Sequence, residues 1–133
     1  MILSIGGWTY SPSFHPVVVD PRLRSKFVAS AIRLVEDNGL DGLDIDYEYP
    51  QNEHQARGYV DLLRELRYAL DAYALRKGAN YRFLLTVRIL HSPFIKPHVN
   101  VNEDRCPLRS RQLQEALRSR NGSISRFLEH DGV

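Results

Sequence analysis

The chain has 133 residues, with 18 Lys/Arg against 16 Asp/Glu and a formal net charge of +2, too small a bias to read a nucleic-acid or acidic-membrane partner from charge. Hydrophobic residues make up 43% and charged residues 26%, the balance of a globular domain rather than a disordered chain. No apolar run approaches the ~20 residues of a membrane span, no signal peptide is visible, and the single Cys106 excludes an internal disulfide framework while leaving the compartment open.

Met1 runs straight into Ile2-Leu3-Ser4-Ile5, which reads as a buried strand. A core strand without a lead-in predicts further domain sequence upstream. Gly6-Gly7 follows it and marks a turn or a close backbone approach. Residues 8–19, with Pro12 and Pro16, read as a loop. Asp20-Pro21 is a helix start, with Asp20 as N-cap and Pro21 at the first helical position. Leu23, Phe27, Val28, Ala31, Ile32 and Val35 continue at helical spacing, and Gly39 closes the helix.

Residues 41–48 read as a second strand, ended by Pro50. A second helix is predicted over 54–77. Its stripe is Tyr59, Leu62, Leu63, Leu66, Leu70 and Tyr73, and Gly78 lies beyond its end. Residues 82–87 form a third strand. Strand, helix, strand, helix, strand implies parallel strands with right-handed crossovers, in a doubly wound sheet or in an arc of a barrel. After Val87 the period is lost. Residues 1–87 hold 10 Lys/Arg and 11 Asp/Glu, whereas 88–133 hold 8 and 5. Pro107 to Arg120 could form a helix and 123–130 a further turn. The chain is therefore read as two parts, 1–87 with a regular pattern and 88–133, a tail of unclear origin.

The segment from Asp41 to Pro50 carries the chemistry. Side chains alternate along a strand, so Asp44, Asp46 and Glu48 share one face and Leu43, Ile45 and Tyr47 the other. Successive acids would lie about 6.7 Å apart from Cα to Cα. A solvated edge strand can carry two acids at this period. Three acids, opposite an apolar face and in a parallel sheet, point instead to burial. Like charges so close cannot all stay ionised, so one carboxyl is expected to keep its proton. Glu48 is the best donor, because it stands at the C-terminal end of the strand, where parallel α/β folds place their chemistry. Asp46 is its partner and Asp44 lies deeper. Asp41 is out of phase and reads as structural. His15, His54, His91, His98 and His130 show no metal-ligand spacing, so neither a metal nor a cofactor is expected.

Asp41-Gly42-Leu43-Asp44-Ile45-Asp46-Tyr47-Glu48 resembles the Asp-x-x-Asp-x-Asp-x-Glu signature of glycoside hydrolase family 18, the chitinases. Ser4-Ile5-Gly6-Gly7-Trp8 resembles that family's Ser-x-Gly-Gly motif, and the wording is closest to fungal members. The resemblance implies a TIM (β/α)8 barrel, of which residues 1–87 would supply strands three to five; a complete barrel takes ~250 residues. It implies retaining, substrate-assisted hydrolysis of β-1,4-linked N-acetylglucosamine. Glu48 would be the general acid, Asp46 would hold the sugar's acetamide, and Asp44 would exchange hydrogen bonds with Asp46. Ser4 would support the carboxylates, Gly6 and Gly7 would allow close backbone approach, and Trp8, Tyr10 and Tyr49 would offer aromatic surface to the sugar. The implied partner is chitin or a chitooligosaccharide, outside the cell. The family's later Met-x-Tyr-Asp motif is absent from 88–133, and Arg88-Ile89-Leu90-His91 stands where small residues and proline usually continue the strand. The isolated chain is therefore expected to be inactive. The competing expectations are a non-catalytic, lectin-like chitin-binding module, which Glu48 argues against, and an endo-β-N-acetylglucosaminidase.

Overall fold

The computed structural model describes residues 1–88. They form three parallel strands, β1 (Ile2–Gly6), β2 (Gly42–Asp46) and β3 (Leu84–Val87), ordered β1-β2-β3. Between β1 and β2 lie a short 3-10 turn (Trp8–Tyr10), α1 (Ser11–Val19) and α2 (Pro21–Asn38); α3 (Glu53–Lys77) joins β2 to β3. A doubly wound sheet reverses its strand order at a switch point. These three strands proceed in one direction without reversal, an order shared by an arc of a barrel and by one half of a doubly wound sheet. The predicted helix over 107–120 and the turn at 123–130 lie outside the described residues.

Residues 8–19 are helical and not the expected loop. Pro12 stands in the first turn of α1, where its missing N–H is no loss. Pro16 lies inside the helix and costs about 3 kcal/mol. Phe14 and Val18, one turn apart, are both buried, and about 1.5–3 kcal/mol for each buried side chain offsets that cost. The caps of the longer helices follow from their sequence. Asp20 accepts from the Arg22 N–H at 2.8 Å, and Asn52 from the Gln55 N–H at 2.9 Å. Gly39 and Gly78 take the left-handed conformation at the helix ends.

Leu43 and Ile45 of β2, Leu85 of β3 and the α3 stripe are all buried in one core cluster. Leu23, expected in the α2 stripe, is instead exposed. Gly58 of α3 lets α1 approach closely, since a Cβ there would stand 2.0 Å from the Val18 carbonyl oxygen. No described helix is long and apolar enough to cross a membrane.

Candidate active site

The site grows from the register of the three strands. Ser4, Asp44 and Thr86 are direct partners across the sheet and project side by side. The Ser4 hydroxyl donates to Asp44 Oδ2 at 2.8 Å and the Thr86 hydroxyl to Asp44 Oδ1 at 2.7 Å. The hydrogen bonds of Asp44 thus run across the sheet to its neighbours. Thr86 is not distinguishable from sequence spacing, because its place beside Asp44 depends on strand register.

β2 ends at Asp46, two residues before the expected end, so Glu48 stands just past the strand. Asp46 and Glu48 still share one environment. Their side chains are only 15% and 14% exposed, and the Arg88 guanidinium lies 3.8 Å from Asp46 Oδ2 and 3.7 Å from Glu48 Oε1. Asp46 Oδ1 is buried without a hydrogen-bond partner, an acceptor held ready for a donor. Glu48 is anchored through its backbone. Its N–H donates to the Ser11 hydroxyl at 2.8 Å.

Gly6 packs against this strand end. Its φ is 123°, and a Cβ would stand 2.2 Å from the Asp46 carbonyl oxygen. Gly7 has φ 94° with open space at its missing Cβ, and its N–H donates to the Asp46 carbonyl at 2.8 Å. Trp8 and Tyr10 are largely exposed. Trp8 meets Tyr49 edge to face, with ring centroids 6.3 Å apart. Tyr10 is not drawn into that contact. Asp41 lies away from the acids and pairs with the Met1 amino group.

Behind β2, Tyr47 is buried and its hydroxyl lies 2.6 Å from His15 Nδ1 and 3.3 Å from Gln55 Oε1. Burial pushes its phenol up to about 12. Tyr59 donates to the Ile45 carbonyl at 3.2 Å. Its phenol is also raised, first by burial and then by the charges of Asp44 and Asp46. Among the described residues no group of three or more His, Cys, Asp or Glu side chains is arranged to hold a metal ion.

Three kinds of comparison agree on kinship. The profile described as Glycosyl hydrolases family 18 matches residues 1–102, past the Val87 boundary drawn on motifs. The chain is similar to endochitinase 1 of Metarhizium anisopliae, 43% identical over 86 residues, covering 65% of this chain and 20% of that protein. It superposes on the class V chitinase of Nicotiana tobaccum with a TM-score of 0.61 and 34% identity, covering 66% of this chain and 25% of that one. A chitinase from Cycas revoluta, solved in complex with (GlcNAc)3, gives a TM-score of 0.60 and 36% identity over 66% of this chain and 26% of its own. The chain thus spans a fifth to a quarter of the length of these proteins. With the family profile covering residues 1–102 of 133 and the acid segment inside it, the chain belongs to glycosyl hydrolases family 18.

Proposed function

We propose that this chain carries the proton-donor strand of an extracellular chitin hydrolase, and that β1, β2 and β3 correspond to the third, fourth and fifth strands of its barrel. The observation that carries the reading is the buried, unpartnered Asp46 Oδ1 beside a Glu48 that is itself 14% exposed. A buried acceptor without a donor is costly. The acetamide N–H of an N-acetylglucosamine residue would supply one. Its carbonyl oxygen would then face the anomeric carbon and attack it. Glu48 would pass its proton to the glycosidic oxygen as that bond breaks, and the leaving sugar departs as an alcohol. Water then opens the cyclic oxazolinium, returning a proton to Glu48 and restoring the configuration at C1. Asp44, tied to Ser4 and Thr86, would hold the strand's acidic face in register. Trp8 and Tyr49 would present aromatic surface to the sugar rings, with Tyr10 nearby on the same turn.

The isolated chain is expected to turn over very little. Among the described residues, β1 and β3 each pair on one side only, so the acidic face lacks the neighbours that would close a substrate pocket. The test is therefore a chimera, in which residues 1–87 replace the matching segment of the Metarhizium endochitinase. It should hydrolyse chitotetraose, and Glu48→Gln in the chimera should lower kcat by about 10²–10⁴. The reading fails if Glu48→Gln leaves turnover intact, or if the purified 133-residue chain alone matches the chimera.

A further inference from the structure

The sheet does not fix the backbone of Glu48, because β2 ends at Asp46. A side chain from α1 takes over that task. Ser11 Oγ accepts the Glu48 N–H at 2.8 Å and donates to the Gly7 carbonyl at 2.9 Å. Gly7 N–H in turn donates to the Asp46 carbonyl at 2.8 Å. One hydroxyl thus links the turn after β1, the first residue of α1 and the chain just past β2. Ser11 is only 1% exposed, so water has little access to replace it.

A serine at a helix start commonly caps its own helix through the free N–H groups of the first turn. Ser11 does not do this. The N-cap of α1 is Tyr10, which makes no side-chain cap bond. The acceptor function of Ser11 is used on a residue 37 positions away in sequence, and its donor function on the preceding turn.

We propose that Ser11 is the positioning residue of Glu48, setting the backbone from which the proton donor projects; this rests on the reading of Glu48 as that donor. Ser11 touches no substrate and acts only through Glu48. Removing its hydroxyl leaves the Glu48 N–H without its partner and frees the acid to swing away from the glycosidic oxygen.

Two measurements test this, the first on the full 133-residue chain and the second on the chimera. In the first, amide hydrogen exchange is followed at Glu48, with Leu40 and Leu84 as internal references, since both donate to backbone carbonyls elsewhere in the fold. Ser11→Ala should speed exchange at Glu48 by at least about tenfold relative to those references, whereas Ser11→Thr, which keeps a hydroxyl, should restore slow exchange. Equal acceleration at all three amides, or none at Glu48, overturns the tie.

In the second, chitotetraose hydrolysis by the chimera that carries residues 1–87 in the Metarhizium endochitinase is measured for Ser11→Ala, Glu48→Gln and the double variant. Ser11→Ala should lower kcat several-fold with KM little changed, and the double variant should be no slower than Glu48→Gln alone, because Ser11 works through that residue. Losses that simply add overturn the positioning role. A chimera with Ser11 and Glu48 intact that hydrolyses no chitotetraose sinks the sugar-site reading, while exchange at Glu48 in the 133-residue chain still decides the tie to Ser11.

Discussion

Gly6 is held to a single residue type by two independent constraints. Its φ of 123° lies where L side chains rarely go, and a Cβ would stand 2.2 Å from the backbone oxygen of Asp46. Neither constraint can relax without moving β1 away from the acid strand. Gly6→Ala should therefore cost about 2 kcal/mol or more, read as a fall in the urea midpoint. A loss below about 0.5 kcal/mol would mean that the two backbones are not in the contact described. Arg88 provides the contrast. It lies near both acids, yet it is 62% exposed, so solvent screening limits the pair to at most about 1 kcal/mol of stability. The importance of Arg88 is its place beside Asp46 and Glu48 rather than its contribution to folding.

Among the elements, α3 carries the largest part of the core, and one of its buried residues breaks the apolar rule. Arg67 lies on the buried side between Leu63 and Leu70 and is 1% exposed. Its guanidinium donates to the Phe83 carbonyl at 2.8 Å and to Asp71 Oδ1 at 2.5 Å. It thereby ties the helix to the chain leading into β3. Arg67→Leu keeps the apolar volume but leaves that buried carbonyl unpaired, so a loss of about 1–3 kcal/mol is expected in chemical denaturation. An unchanged midpoint would show that the helix docks through its leucines alone.

At the scale of the whole molecule, the two tyrosines behind the acid strand link stability to pH. Unfolded tyrosines ionise near pH 10. Burial raises the folded pKa of Tyr47 to about 12, and that of Tyr59 is raised as well. The folded state therefore keeps protons that the unfolded state releases. The stability this contributes is fully present below pH 10 and is lost as pH rises from 10 through the folded values. Denaturation midpoints should fall steadily between pH 10 and 12, and Tyr47→Phe should flatten the slope. A profile unaffected by Tyr47→Phe would count against the burial of that phenol.

The alternation of strands and helices was legible in the sequence, and so were the caps at Asp20 and Gly39, the stripe of α3 and the acid segment. Each is set by residues close together along the chain, where backbone geometry and the 2.0 and 3.6 periods act directly. The helical state of residues 11–19 was not legible, because burial of Phe14 and Val18 against distant elements outweighs the local penalty of Pro16. Nor were Thr86 beside Asp44, Ser11 beneath Glu48 or the buried Arg67. The first two of these contacts join residues about 40 positions apart. They exist only once three parallel strands have settled into one register. Sequence alone singled out Glu48 as the candidate proton donor; the tertiary structure decided what its backbone is tied to, because hydrogen bonds between distant segments follow from packing and not from local order.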